Sequence, residues 1–196
     1  MSGKSKRNFM ADITNIPNML CLFRIMSIPV LVVFFYLGYH WGAVTLAFIS
    51  TWTDFFDGRL ARKLNMETDL GGLLDIVADL LFTCIVLFIA VEQGVWPIYL
   101  FILWAFRDLS VLAMRWSAAQ LGFAIPSIML GKVATVIIFI ALVGFFLDVM
   151  QPFPGTLYNH YLHVLGLALI HIGLGLQWIT ALVYFFRYYQ LYQEGY

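Results

Sequence analysis

Four carboxylates stand out in an otherwise apolar chain: Asp54, Asp57, Asp75 and Asp79, all within TDFFDGRLARKLNMETDLGGLLDIVAD, residues 53–79. Asp54 and Asp57 are i and i+3, so they project to the same face of a helix. Gly71, Asp75 and Asp79 recur at intervals of four and line one face of the next helix. If those two helices form a hairpin through residues 63–70, the four carboxylates can converge on one point. Left without counter-charge at a membrane edge, they would repel one another or take up protons. A divalent cation removes that objection, since hard oxygen donors suit Mg²⁺, Mn²⁺ or Ca²⁺. The cluster holds no His or Cys, so zinc fits it poorly.

Small residues accompany the acids. Gly58 follows Asp57, Ala61 lies about one turn on, and Gly71 lies one turn before Asp75. Missing side chains beside metal-binding carboxylates leave room for a planar or phosphorylated ligand, and Arg62 can meet a phosphate there. Metal-binding acids, a cation and an open cleft are the parts of a phosphoryl-transfer site. Any one of these residues alone could instead be a packing residue of a membrane helix.

The elements that must hold these residues are membrane helices. Of 196 residues, 62% are hydrophobic and 11% charged, against roughly 25% charged in a soluble domain. Apolar segments at 18–38, 41–58, 72–93, 96–116, 129–149 and 162–187 are each long enough to span a bilayer. The expected fold is an all-α polytopic membrane protein with six transmembrane helices in one domain, residues 16–190. Residues 1–15 form an N-terminal segment, in which 4–15 could make a short interfacial helix against membrane lipids or stay a disordered polar tail, and 191–196 form a C-terminal tail. Nothing in MSGKSKRNFMADITN reads as a cleavable signal.

Lys4, Lys6 and Arg7 precede the first segment. Arg59, Arg62 and Lys63 lie between the second and third, Arg115 and Lys132 between the fourth and fifth, and Arg187 near the end. The connections at 38–42, 92–97 and 148–160 contain no Lys or Arg. The positive-inside rule then places both termini and the acidic stretch at the cytoplasmic face. Cys21 and Cys84 read as small core residues, and no nucleic-acid partner is expected.

Asp54-x2-Asp57-Gly58-x2-Ala61-Arg62-x8-Gly71-x3-Asp75-x3-Asp79 resembles, at all eight fixed positions, the signature of the CDP-alcohol phosphotransferase family. NIPNMLCLFRIMSIPVLVVFFYL at 15–37 is similar to the opening of the bacterial phosphatidylglycerophosphate synthases. The resemblance implies a core of six helices in the bacterial inner membrane, a homodimer, and a two-metal site (Mg²⁺ or Mn²⁺) formed by Asp54, Asp57, Asp75 and Asp79. It implies Asp79 as the base toward the acceptor hydroxyl. Gly58, Ala61, Arg62 and Gly71 would contact the CDP end of CDP-diacylglycerol, from which CMP leaves.

For the acceptor, Arg107, Arg115 and Lys132 are the only Lys or Arg residues between 64 and 186. Arg107 and Arg115 lie about two turns apart on one helix face, and Lys132 opens the fifth helix. Three cations point to a small phosphorylated alcohol such as glycerol 3-phosphate. RDLSVLAMR and LGK resemble the corresponding region of the phosphatidylglycerophosphate synthases. Leu80 and Ala134 depart from it, standing where those enzymes usually carry lysine. A cardiolipin synthase accepting phosphatidylglycerol and an inositol-phosphate-using relative therefore stay open. A cation transporter is the rival class, but it would spread acids along a path rather than confine them to one end of two helices. His163 and His171 read as helix-pairing residues, and Gly173 and Gly175 as small residues able to support a dimer.

Overall fold

The computed structural model describes residues 15–50, 69–123, 125–126, 128–150 and 157–194. Most of the described residues are helical, and none of them lies in a strand. The helices are α1 (Ile16–Tyr36), α2 (described over 40–50), α3 (Asp69–Glu92), α4 (Ile98–Gln120), α5 (Met129–Met150) and α6 (Leu157–Glu194). Four described stretches are long and apolar enough to cross a membrane: Asn18–Tyr36, Gly71–Glu92, Met129–Met150 and Leu157–Gln193. α4, with 23 residues, has the length but carries Arg107, Asp108 and Arg115. The part of the expected second span beyond residue 50 lies outside the described residues, as do residues 4–14 of the expected interfacial helix.

The chain divides into two compact units, Met1–Ile85 and Val86–Tyr196. In the first, α1 has two faces. Ile16, Met19, Phe23, Met26, Val30 and Val33 are exposed at helical spacing, an apolar stripe suited to lipid. On the opposite side Asn18, Cys21, Arg24, Ile28, Leu31 and Phe35 are buried. α1 ends at Gly38, whose φ of 79° lets Tyr39 N–H reach back to Phe34 O at 2.9 Å. α2 is joined to α1 by a buried hydroxyl pair. Ser27 Oγ donates to Arg24 O at 2.7 Å, which leaves Ser50 Oγ, also 2.7 Å away, to donate to Ser27.

In the second unit, α5 and α6 pack closely. Gly173 is buried against α5, and a Cβ there would lie 2.5 Å from Ile138 Cγ1 and 3.3 Å from Ile138 N. Gly173 is thus used for close approach within the chain, while Gly175 is exposed with nothing within 4 Å of an added Cβ. α6 has 38 residues, or about 57 Å at 1.5 Å per residue, and outreaches a hydrocarbon core of about 30 Å. It starts at Leu157, earlier than the apolar pattern implies. Among the described residues, Cys21 and Cys84 form no disulfide.

Candidate active site

The acids of α3 meet a cation from α1. Asp75 and Asp79, one helical turn apart, face the same way, and Arg24 Nη1 donates to both carboxylates. It lies 3.0 Å from Asp79 Oδ1 and 3.5 Å from Asp75 Oδ1. The Arg24 side chain is 2% exposed, whereas the acids are 49% and 62% exposed. One end of this cluster is therefore buried and the other is open. A guanidinium inside an apolar bundle requires such partners, because burial without them carries a heavy desolvation penalty.

Arg24 is the residue that sequence reasoning did not mark as part of the site. A signal was present: it is the sole Lys or Arg between residues 8 and 58, and an ionisable residue within a span ordinarily has an interior partner. Asn15 occupies the N-cap position of α1 but makes no side-chain cap bond, and Asn18 is buried. Gly71 lies on α3 one turn before Asp75. Asp54, Asp57, Gly58, Ala61 and Arg62 lie outside the described residues.

Among the described residues, no three His, Cys, Asp or Glu side chains gather as a metal-holding group. Two of the four expected ligands are described, and these fit a divalent ion on chemical grounds. Both are hard oxygen donors, they converge on one positively charged atom, and both are reachable from outside.

The cations of the second unit differ in their engagement. Arg107 ties α4 to α6: Nε donates to Gln177 O at 3.1 Å and Nη2 to Thr180 Oγ1 at 2.9 Å. Its Nη1 donates to Asp108 Oδ1 at 2.6 Å, and the side chain is 11% exposed. Three of the five N–H donors of Arg107 are thus engaged, two of them across to α6, and its expected contact with an acceptor phosphate stays a proposal. Arg115 is exposed; its Nη2 donates to Tyr184 Oη at 3.0 Å, and its Cζ lies 4.9 Å from the centre of the Tyr184 ring. Lys132, also exposed, stands in the first turn of α5. Ala134, where a second lysine was looked for, is fully buried.

The two histidines do not form a ligand pair. His163 Nδ1 lies 2.7 Å from Asp148 Oδ2 on α5. His171 Nδ1 donates to Leu167 O at 2.6 Å, so in the neutral ring Nε2 accepts from Tyr99 Oη, also 2.6 Å away. Each histidine joins α6 to a neighbouring helix, as the sequence reading expects.

A sequence model of the CDP-alcohol phosphatidyltransferase family matches residues 14–187. A protein of Salmonella choleraesuis named CDP-diacylglycerol–glycerol-3-phosphate 3-phosphatidyltransferase is 36% identical over 135 residues, covering 65% of this chain and 74% of the relative. A Rickettsia felis protein of the same name is 34% identical over 176 residues, covering 87% of this chain and 93% of the relative. The Bacillus subtilis protein of that name is 32% identical over 136 residues, covering 62% and 70%.

Proposed function

The chain belongs to the CDP-alcohol phosphatidyltransferase family, and from that premise we propose that it transfers the phosphatidyl group of CDP-diacylglycerol to sn-glycerol 3-phosphate, releasing CMP. The observation that carries this reading is the uninterrupted eight-position signature inside a family match spanning residues 14–187. The names of relatives at 32–36% identity support glycerol 3-phosphate over phosphatidylglycerol or an inositol phosphate.

In the proposed site, Asp54, Asp57, Asp75 and Asp79 hold two divalent ions, Mg²⁺ or Mn²⁺. Such ions would supply charge neutralisation for the diphosphate. Gly58, Ala61 and Gly71 leave space for the CDP group, and Arg62 meets its phosphates. Arg115 and Lys132 receive the phosphate of the acceptor. Asp79 takes the proton of the acceptor hydroxyl, whose oxygen forms a bond to the lipid-side phosphorus as the bond to the CMP oxygen breaks. Arg24 holds Asp75 and Asp79 in one orientation from behind, a role supported by its contacts to both. The same proposal places six spans in a membrane domain at 16–190, both termini and the site at the cytoplasmic face of a bacterial inner membrane, and two chains in a dimer.

The test is an acceptor screen. Purified protein in detergent micelles with CDP-diacylglycerol is given glycerol 3-phosphate, phosphatidylglycerol, myo-inositol phosphate, inositol or serine. CMP release is expected with glycerol 3-phosphate alone, lost on chelation and restored by Mg²⁺ or Mn²⁺. Asp79→Asn is expected to lower kcat by roughly 100-fold or more, the scale of a lost general base. Full activity in that variant would overturn the mechanism, and preference for another acceptor would overturn the substrate assignment.

A further inference from the structure

Tyr184 touches both elements that carry the proposed acceptor cations. It lies on the buried side of α6 at 3% exposure, in a cluster with Val111 and Ala181 and bordered by Met114, Ile125 and Ile128. A ring packed in that way cannot swing, so its hydroxyl is a fixed point. Tyr184 Oη accepts from Arg115 Nη2 at 3.0 Å and from the backbone N–H of Ile128 at 3.2 Å. Those two donors fill both lone pairs of the phenol oxygen.

Each contact reaches one of the two cations. The first is direct: Arg115, otherwise exposed, is held by its own hydrogen bond and by the ring face beneath its guanidinium at 4.9 Å. The second runs through the backbone. Gly131 N–H and Lys132 N–H both bond back to Ile128 O, at 3.1 and 3.4 Å, so the first turn of α5 hangs from the residue whose N–H Tyr184 holds. A Cβ at Gly131 would lie 3.7 Å from Tyr184 Oη, which shows how near this turn runs to the phenol.

We infer that Tyr184 is a positioning residue for the acceptor's phosphate, fixing Arg115 directly and Lys132 through Ile128. The inference rests on the reading that Arg115 and Lys132 receive that phosphate. Removing one hydroxyl would leave the guanidinium and the Ile128 N–H both without this acceptor, with the apolar packing kept.

The test is a kinetic cycle on the full-length protein, with wild type, Tyr184→Phe, Arg115→Met and the double variant assayed with CDP-diacylglycerol and glycerol 3-phosphate. Tyr184→Phe is expected to raise KM for glycerol 3-phosphate about tenfold, the scale of one hydrogen bond to a charged group. KM for CDP-diacylglycerol should stay within about twofold of wild type. In the Arg115→Met background the same change should add much less than it does alone, because the two residues act as a unit. Arg115→Lys, which keeps the charge but not the paired contacts, should reproduce the KM shift if Tyr184→Phe proves too unstable to assay. An unchanged KM for glycerol 3-phosphate, additive effects across the cycle, or a parallel rise in both KM values with a fall in Tm would overturn the inference. A wild-type protein that transfers only to an unphosphorylated acceptor would overturn the functional reading beneath it, and that outcome is visible before any variant is made.

Discussion

Arg24 and the two acids of α3 set the terms at the scale of single residues. A buried guanidinium has a planar fork and a permanent charge, and here it bonds to two carboxylates from another helix. Both bonds run from the single nitrogen Nη1, and the lysine side chain, one atom shorter, would hold its ammonium short of that position. If Asp75 and Asp79 hold the metal as proposed, Arg24→Lys is expected to lower specific activity about tenfold or more, the usual cost of disturbing a group that orients metal ligands. Metal affinity, read by Mn²⁺ titration with electron paramagnetic resonance, should weaken with it. Wild-type activity and Mn²⁺ affinity in Arg24→Lys would contradict this role. The spacing of Gly71, Asp75 and Asp79 was legible in the sequence because a helix repeats in three to four residues. The pairing of Arg24 with Asp79 was not, since the two are 55 positions apart and periodicity carries no record of which helices touch.

At the scale of helices, the apolar segments announced α1, α3, α4 and α5 to within a few residues. The start of α6 was missed because Tyr158, Asn159 and His160 read as loop, although helix continues through them. Polar residues at the end of a long helix look like a turn to any hydropathy pattern. The helix-tying bonds of Arg107 were not legible for a related reason: sequence shows a cation on a face but not the Thr180 hydroxyl and Gln177 carbonyl on the neighbouring helix. Close helix contact gives a sharper test. Gly173→Ala places a methyl 2.5 Å from Ile138 Cγ1 and close to the α5 backbone, an overpacking that typically costs about 1–3 kcal/mol. Gly175→Ala meets nothing within 4 Å and should be neutral or stabilising, by up to about 1 kcal/mol from helix propensity. Thermal unfolding in one detergent should rank Gly175→Ala at or above wild type and Gly173→Ala below it; the opposite order would contradict the packing.

For the whole molecule, the distribution of Lys and Arg predicts topology. Residues 38–42, 92–97 and 148–160 hold none, while the N-terminal segment and residues 59–63 together hold six of the eleven. In a variant with Cys21 and Cys84 replaced by alanine, a single cysteine at Gln93 should react with an impermeant thiol reagent applied from outside the cytoplasmic membrane. One at Ser5 should react only after the membrane is opened, and the reverse pattern would overturn the orientation. Chemistry at the cytoplasmic side matters because CDP-diacylglycerol and glycerol 3-phosphate would meet there.

The most direct measurement of the central claim is the mass of the lipid product. Purified protein, CDP-diacylglycerol, glycerol 3-phosphate and Mg²⁺ should yield phosphatidylglycerophosphate and CMP in equal amounts, with neither formed when the acceptor is withheld. Absence of that lipid, or appearance of cardiolipin when phosphatidylglycerol is supplied instead, would contradict it.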